Sequence, residues 1–157
     1  MSQQNQQLQS DDPMVAIAEA EATSVDSQRF RIDGNGKPRL VGGRCRNCGC
    51  ETWGARTMCP RCWAAEKMEE VDLPNVGALY SMVTVYRAQA GFKGPYTFGL
   101  VDLPGCVRVF GRIHWPEGSR WQPGAEMELI AERIDVDSGK PPFWVPAFRP
   151  TGRRDHA

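Results

Sequence analysis

Two short cysteine pairs constrain this chain more than any other feature: Cys45-Arg46-Asn47-Cys48, closed by Gly49, and Cys59-Pro60-Arg61-Cys62. Ten residues separate the pairs, enough for two tight turns to face one another across a short hairpin. Each turn aims two sulfurs at one point, and four thiolates complete the tetrahedron that Zn²⁺ prefers. Gly49 suits the tight backbone after the second sulfur, and Pro60 stiffens the second turn. An iron centre of the rubredoxin type and within-knuckle disulfides are the rival uses of the same four cysteines. With every coordination position filled by sulfur, none is left for water or substrate. The expected cofactor is therefore one structural Zn²⁺, which contributes to folding and performs no hydrolysis. Cys50, two residues beyond Cys48, offers a slipped alternative ligand that the CxxC-Gly geometry disfavours.

A length of 157 residues allows one ordinary domain or two small ones. The 19 Lys and Arg cancel the 19 Asp and Glu, so the chain has no general field for nucleic acid or a membrane surface. Six cysteines fit a secreted disulfide scaffold, but residues 1–13 read MSQQNQQLQSDDP, without an apolar h-region or cleavage pattern. No apolar run is long enough to span a bilayer. The expected compartment is the cytoplasm, where thiols stay reduced and bind metal.

Residues 1–28 read as a disordered tail and a short helix. Asp12 caps it, Pro13 fills its first turn, and Met14, Ile17, Ala18 and Ala22 share one face. Residues 29–68 form the zinc module, entered by a hairpin whose turn is Asp33-Gly34-Asn35-Gly36. From Val76 the pattern alternates at period two. Leu79, Ser81, Val83 and Val85 fall on one face of a first strand, and Thr97 to Leu103 makes a second. Val107, Val109 and Ile113 line a third, opposite Arg108 and Arg112. Met127, Leu129 and Ala131 point inward from a fourth whose other side carries Glu126, Glu128 and Glu132. The turn Asp137-Ser138-Gly139 leads to a fifth, Phe143 to Phe148. Five short strands with Gly/Pro turns predict a small closed barrel over residues 69–150, followed by a flexible tail, 151–157.

These features together resemble the thiolase-associated, acyl-CoA-associated OB-fold proteins. The resemblance is carried by the two knuckles, Gly77 in the first strand, and Pro95-Tyr96-Thr97-Phe98-Gly99-Leu100-Val101-Asp102-Leu103. Gly124 and Pro146-Ala147-Phe148-Arg149-Pro150 complete it, and together they cover residues 39 to 150. It implies a mainly β fold: a rubredoxin-like zinc ribbon followed by a five-stranded OB-fold barrel, with a short N-terminal helix. The family's usual Phe-Trp pair in that helix is missing, and Trp53-Gly54-Ala55-Arg56 stands where a Pro-Pro is common. These departures touch the N-terminal docking mode and not the ribbon or barrel. Members act as small subunits beside thiolases, lipid-transfer-type aldolases and acyl-transferring synthases. The resemblance thus implies a thiolase-like catalytic partner that owns the nucleophilic cysteine. It also implies a CoA thioester at or near the interface. Degradation of aromatic or bulky acyl-CoA, as by a benzoylsuccinyl-CoA-type thiolase, is one implied setting.

Catalysis by this chain alone is not expected. Outside the knuckles it has Cys50 and Cys106, and for bases His114 and His156. On one extended strand, Cys106 and His114 would stand about 26 Å apart at ~3.3 Å per residue. A rival reading is a single-stranded nucleic-acid module. From Arg39 to Lys67 there are six basic and two acidic residues, with Trp53 and Trp63 interleaved. Four thiolates around zinc offset that patch by about two charges, and the acidic fourth strand opposes phosphate. Arg44, Arg46, Arg56 and Arg61 are instead candidate contacts for the phosphates of CoA, against the plainer reading of a solvated face. Met14, Ile17, Phe30, Trp53, Trp63 and Phe92 lie outside the alternating barrel faces and are expected at the partner interface. Phe92 and Lys93 sit in a glycine-flanked loop, residues 87–95, that either reaches toward a partner or simply connects two strands.

Overall fold

A computed structural model describes residues 27–89, 91–105, 107–136 and 141–152. Nine β-strands and no helix occur among them, so no helix of the described residues is long and apolar enough to cross a membrane. The helix expected near Met14 and Ile17, the 137–139 turn, Cys106 and His156 all lie outside the described residues.

The first four strands form one antiparallel sheet around β2 (Pro38–Cys45). On one edge of β2 sit β1 (Phe30–Ile32) and then β3 (Glu51–Trp53); β4 (Met68–Leu73) takes the other edge along six pairs, from Leu40↔Leu73 to Cys45↔Met68. Between β1 and β2 the expected turn is present. The Asp33 carboxylate accepts from the backbone N–H groups of Asn35 and Lys37, both at 2.9 Å, and Gly36 takes φ +76°. Gly42 lets the three strands close: a Cβ there would stand 2.6 Å from the Leu73 side chain. The ribbon–barrel boundary expected at 68/69 falls at the start of β4, and the barrel strands begin at Val76.

The barrel closes in the order β5-β6-β7-β9-β8, with β5 (Val76–Val85) pairing back to β8 (Glu126–Ile134). Strands β6 (Tyr96–Leu103) and β7 (Val107–Ile113) are antiparallel neighbours, and β9 (Phe143–Pro150) meets β7 in parallel. The inward residues of β7 and β8 are those the alternation predicts: Val107, Val109, Ile113, Met127 and Leu129 are buried. On β5 the alternation breaks. Leu79 pairs with Val101 and Ser81 with Leu100, so Tyr80 is an extra residue. That bulge exchanges the faces of everything after it. Met82 packs against the core, while Val83, expected beside Leu79, is 63% exposed.

Ribbon and barrel share one core. Phe30, Ile32, Leu40 and Leu73 from the ribbon belong to the same buried cluster as Leu79, Val101, Leu103, Val109 and Phe148. The ribbon therefore leans on the barrel for apolar burial as well as on its cysteines, a use of area that a short metal module cannot supply alone.

Candidate metal centre and the surface beside it

The two knuckles converge as their spacing predicts. The four Sγ atoms of Cys45, Cys48, Cys59 and Cys62 lie within 4.8 Å of one another. Cys45 and Cys62 are 3.7 Å apart and Cys48 and Cys59 3.6 Å apart. A tetrahedron with Zn–S bonds of about 2.3 Å has edges of about 3.8 Å, so the sulfurs fit such an ion. They are far too distant for the ~2.05 Å bond of a disulfide. Cys50 stays outside the cluster, with its thiol against the Glu51 carbonyl at 3.6 Å. The slipped register is not adopted.

Backbone hydrogen bonds fold each knuckle identically. Cys45 N–H donates to the Cys50 carbonyl and Gly49 N–H returns to the Cys45 carbonyl, at 2.9 and 2.8 Å. In the second knuckle Cys59 N–H donates to Ala64 and Trp63 N–H to Cys59, at 3.1 and 3.0 Å. The residue after the second sulfur is left-handed in both, at φ +71° for Gly49 and φ +60° for Trp63.

The cage is set up for negative charge. The Asn47 side-chain amide donates to Cys62 Sγ at 3.4 Å, and with the Ala64 backbone N–H it holds that thiol down at about 6. Backbone N–H groups of Cys62 and Arg61 likewise lower Cys59. The Cys50 N–H favours the Cys48 thiolate, but burial and the three neighbouring thiols outweigh it and push Cys48 up to about 12. Some thiolates form readily and the last is opposed by its neighbours, a frustration that a bound dication relieves. Asn47 is the residue the sequence reading passed over. Its place inside the first CxxC, facing the second, was the available signal.

The expected interface residues separate. Trp63 is 73% exposed, and Met58 is also exposed. Phe30 is a correction: at 2% exposure it belongs to the shared core and offers no surface to a partner. Burial follows from its inward place on β1, opposite Leu40. Trp53 packs partly against that core, its indole N–H on the Arg29 carbonyl at 3.2 Å. Phe92 is partly exposed and, with Trp53 and Phe30, lines a groove of about 410 Å³ between ribbon and barrel. Of the four arginines, Arg44 is engaged by Glu51 at 2.6 Å. Arg31 and Arg39 are likewise paired, with Glu70 and Asp72 on β4. The basic patch is thus partly neutralised by its own sheet. Arg46, Arg56 and Arg61 are exposed. On the barrel, Glu132 accepts from Arg112 at 2.9 Å and lies 2.8 Å from His114 Nε2.

Known proteins carry the same two parts. The rubredoxin-like zinc ribbon domain of ChsH2 matches residues 36–69, and the C-terminal OB-fold domain of ChsH2 matches residues 70–131. Over 97 residues the chain is 42% identical to the benzoylsuccinyl-CoA thiolase subunit BbsA of Thauera aromatica, covering 62% of this chain and 66% of that subunit, just under two thirds of its length. The subunit of the same name from Geobacter metallireducens is 36% identical over 108 residues, 69% of this chain and 72% of that one. Among solved structures, the Ltp2-ChsH2(DUF35) aldolase superposes with a TM-score of 0.54 at 23% identity, over 71% of this chain and 84% of that chain. At that identity the superposition speaks for the fold.

Proposed function

The chain belongs to the ChsH2-type family of zinc-ribbon/OB-fold proteins, and from that membership we propose that it is a non-catalytic accessory subunit of a thiolase-like enzyme acting on acyl-CoA thioesters. The observation that carries this reading is the similarity to two thiolase subunits at 36% and 42% identity, beside the match of ribbon and barrel to the two ChsH2 domains. In this reading the complex works in the cytoplasm on aromatic or other bulky acyl-CoA. A large partner supplies the nucleophilic cysteine for carbon–carbon bond cleavage or formation. This chain stabilises that partner and shapes its acyl channel.

Cys45, Cys48, Cys59 and Cys62 would hold one structural Zn²⁺, which fixes the ribbon and leaves no position open for substrate. The neutral alternative thiol, Cys50, is pushed up by burial, and His114 lies on the barrel against Glu132. Neither makes the nucleophile–base pair that acyl transfer requires. Trp63 is the favoured anchor, because an exposed indole on a left-handed backbone gains its own fold little. Phe92 is the second. Met14 and Ile17 stay candidates on the strength of their helical spacing alone.

Co-expression with a thiolase-like subunit, followed by native mass and elemental analysis, tests the reading. A hetero-oligomer with one zinc per chain, and turnover of a CoA thioester by the complex only, is expected. A stable monomer that ignores such partners, or turnover by this chain alone, overturns it. Iron with visible charge-transfer absorption would overturn the zinc assignment. Tight binding to heparin at physiological salt would favour the nucleic-acid alternative.

A further inference from the structure

Two hollows lie along the seam between ribbon and barrel, and both are lined by Arg29 and Trp53. The larger is the groove of about 410 Å³, walled by rings that include Phe92, Tyr96, Phe98, Phe110 and Trp144. Phe98 and Phe110 stand 4.9 Å apart between centroids, and Tyr96 meets Phe98 edge-on at 5.1 Å. Arg112 also lines it, but its guanidinium stacks 4.5 Å from the Tyr96 ring and is neutralised by Glu132. The groove is therefore mainly aromatic, with Arg29, stacked 5.3 Å over the Trp53 ring, as its other cation. Its size is within the ~300–1,000 Å³ range of small-molecule sites.

The smaller hollow, about 290 Å³, has the opposite character. Arg29, Arg56 and Arg108 line it with Glu51 and Thr52. Glu51 is engaged by Arg44, and Arg108 by Asp102 at 2.5 Å. Arg56 has no ion pair among the described residues and is exposed to whatever enters. The Thr52 hydroxyl is held by the Gly43 and Gly54 carbonyls. A basic hollow that shares Arg29 and Trp53 with an aromatic one suits a ligand with a phosphorylated end and a flat apolar end. A nucleic-acid strand would want cations along the whole length, whereas in the groove Arg112 is paired with Glu132 and Arg29, stacked over Trp53, is shared with the basic hollow.

We propose that the two hollows form one bipartite site for an aromatic acyl thioester of CoA, with the acyl ring in the groove and the phosphates against Arg56. This rests on the reading of the chain as a subunit of a CoA-thioester enzyme, and it replaces the four-arginine patch with a narrower assignment. Of the candidates Arg44, Arg46, Arg56 and Arg61, only Arg56 lines the basic hollow. It also gives the 87–95 loop a task, since Phe92 closes part of the aromatic wall.

The test is equilibrium binding of benzoyl-CoA, free CoA and an oligo(dT) strand to the full zinc-loaded chain, alone and co-purified with its partner. Benzoyl-CoA should bind saturably. Arg56→Glu should weaken benzoyl-CoA and CoA alike by about tenfold or more, the scale of a charge-assisted contact. Phe110→Ser should weaken benzoyl-CoA by about fivefold from lost apolar contact and leave free CoA unchanged. Phe92→Ser repeats this test without touching a strand. Arg46→Glu, on the first knuckle and outside both hollows, should change neither. Equal losses in Arg46→Glu and Arg56→Glu, absence of saturable binding, or tighter binding of oligo(dT) would overturn the site. Co-purification without this ligand pattern overturns the site and leaves the subunit reading standing. The ligand pattern without co-purification does the reverse.

Discussion

The two knuckles have the same backbone and opposite residues at its most demanding point. Each closes with the same pair of hydrogen bonds, and each ends on a left-handed residue. In the first that residue is Gly49, which adopts φ +71° at no steric cost. In the second it is Trp63 at φ +60°, a conformation that costs a bulky side chain on the order of 1 kcal/mol. The indole does little to offset this within the chain, since it is 73% exposed. The first knuckle can be understood from folding alone. The second holds a residue that folding would not choose, and the difference supports the proposal that Trp63 serves a contact with another molecule.

The largest expected effect concerns what the knuckles share. One ion bound by both makes them a single cooperative unit, so Cys45→Ser or Cys62→Ser should abolish stoichiometric metal binding. Structural zinc in small ribbons contributes on the order of 10 kcal/mol. Hydrogen exchange should then rise together across both knuckles. Protection that survives in one of them would break the comparison. Next comes Trp63→Gly, which should weaken assembly with the thiolase-like subunit by about 1–3 kcal/mol while leaving the melting temperature of the isolated chain unchanged or raised. Assembly measured by sedimentation and stability by thermal unfolding separate the two readouts. A lower melting temperature with unaltered assembly would mean the indole serves the fold after all.

A third expectation sharpens the asymmetry inside the cage. Asn47 reaches from the first knuckle to Cys62 in the second. Outer-shell partners of this kind are worth about tenfold or more in metal affinity, so Asn47→Ala should lower zinc affinity by about that much in a chelator competition. An unchanged affinity would show that the backbone N–H groups alone hold the Cys62 thiolate.

Most of the metal site was legible in the sequence because a CxxC pair encodes its own geometry. Spacing within six residues fixes where two sulfurs point, and the Asp33-Gly36 turn is equally local. The barrel was legible in β7 and β8, where alternation runs unbroken. What stayed hidden depends on contacts between distant segments. Phe30 looked like a spare aromatic beside a basic ribbon, and only the packing of β1 over the barrel explains its burial. The Tyr80 bulge has no signature in Leu79-Tyr80-Ser81-Met82, where either face could be read as apolar, so Val83 was placed on the wrong side. The basic patch looked free because Asp72, which pairs with Arg39, lies over 30 residues away on β4, near the Glu70 that pairs with Arg31.

The smallest expected effect is the most discriminating for the contrast between Gly49 and Trp63. A Cβ added at Gly49 meets nothing within 4 Å, so Gly49→Ala changes no packing and no ligand. What remains is the backbone at φ +71°, where an L-residue is disfavoured relative to glycine by about 1 kcal/mol. The zinc-loaded variant should therefore melt slightly lower, with full metal content and unaltered assembly. Trp63→Gly should shift stability by a similar amount in the opposite direction, because the two positions share one backbone conformation. If Gly49→Ala is silent, the left-handed turn carries no measurable cost, and the inference that Trp63 is retained against the interest of its own fold loses its footing. If the two variants mirror each other, the free energy that the second knuckle gives up has been measured directly, and the assembly loss in Trp63→Gly states what it is given up for.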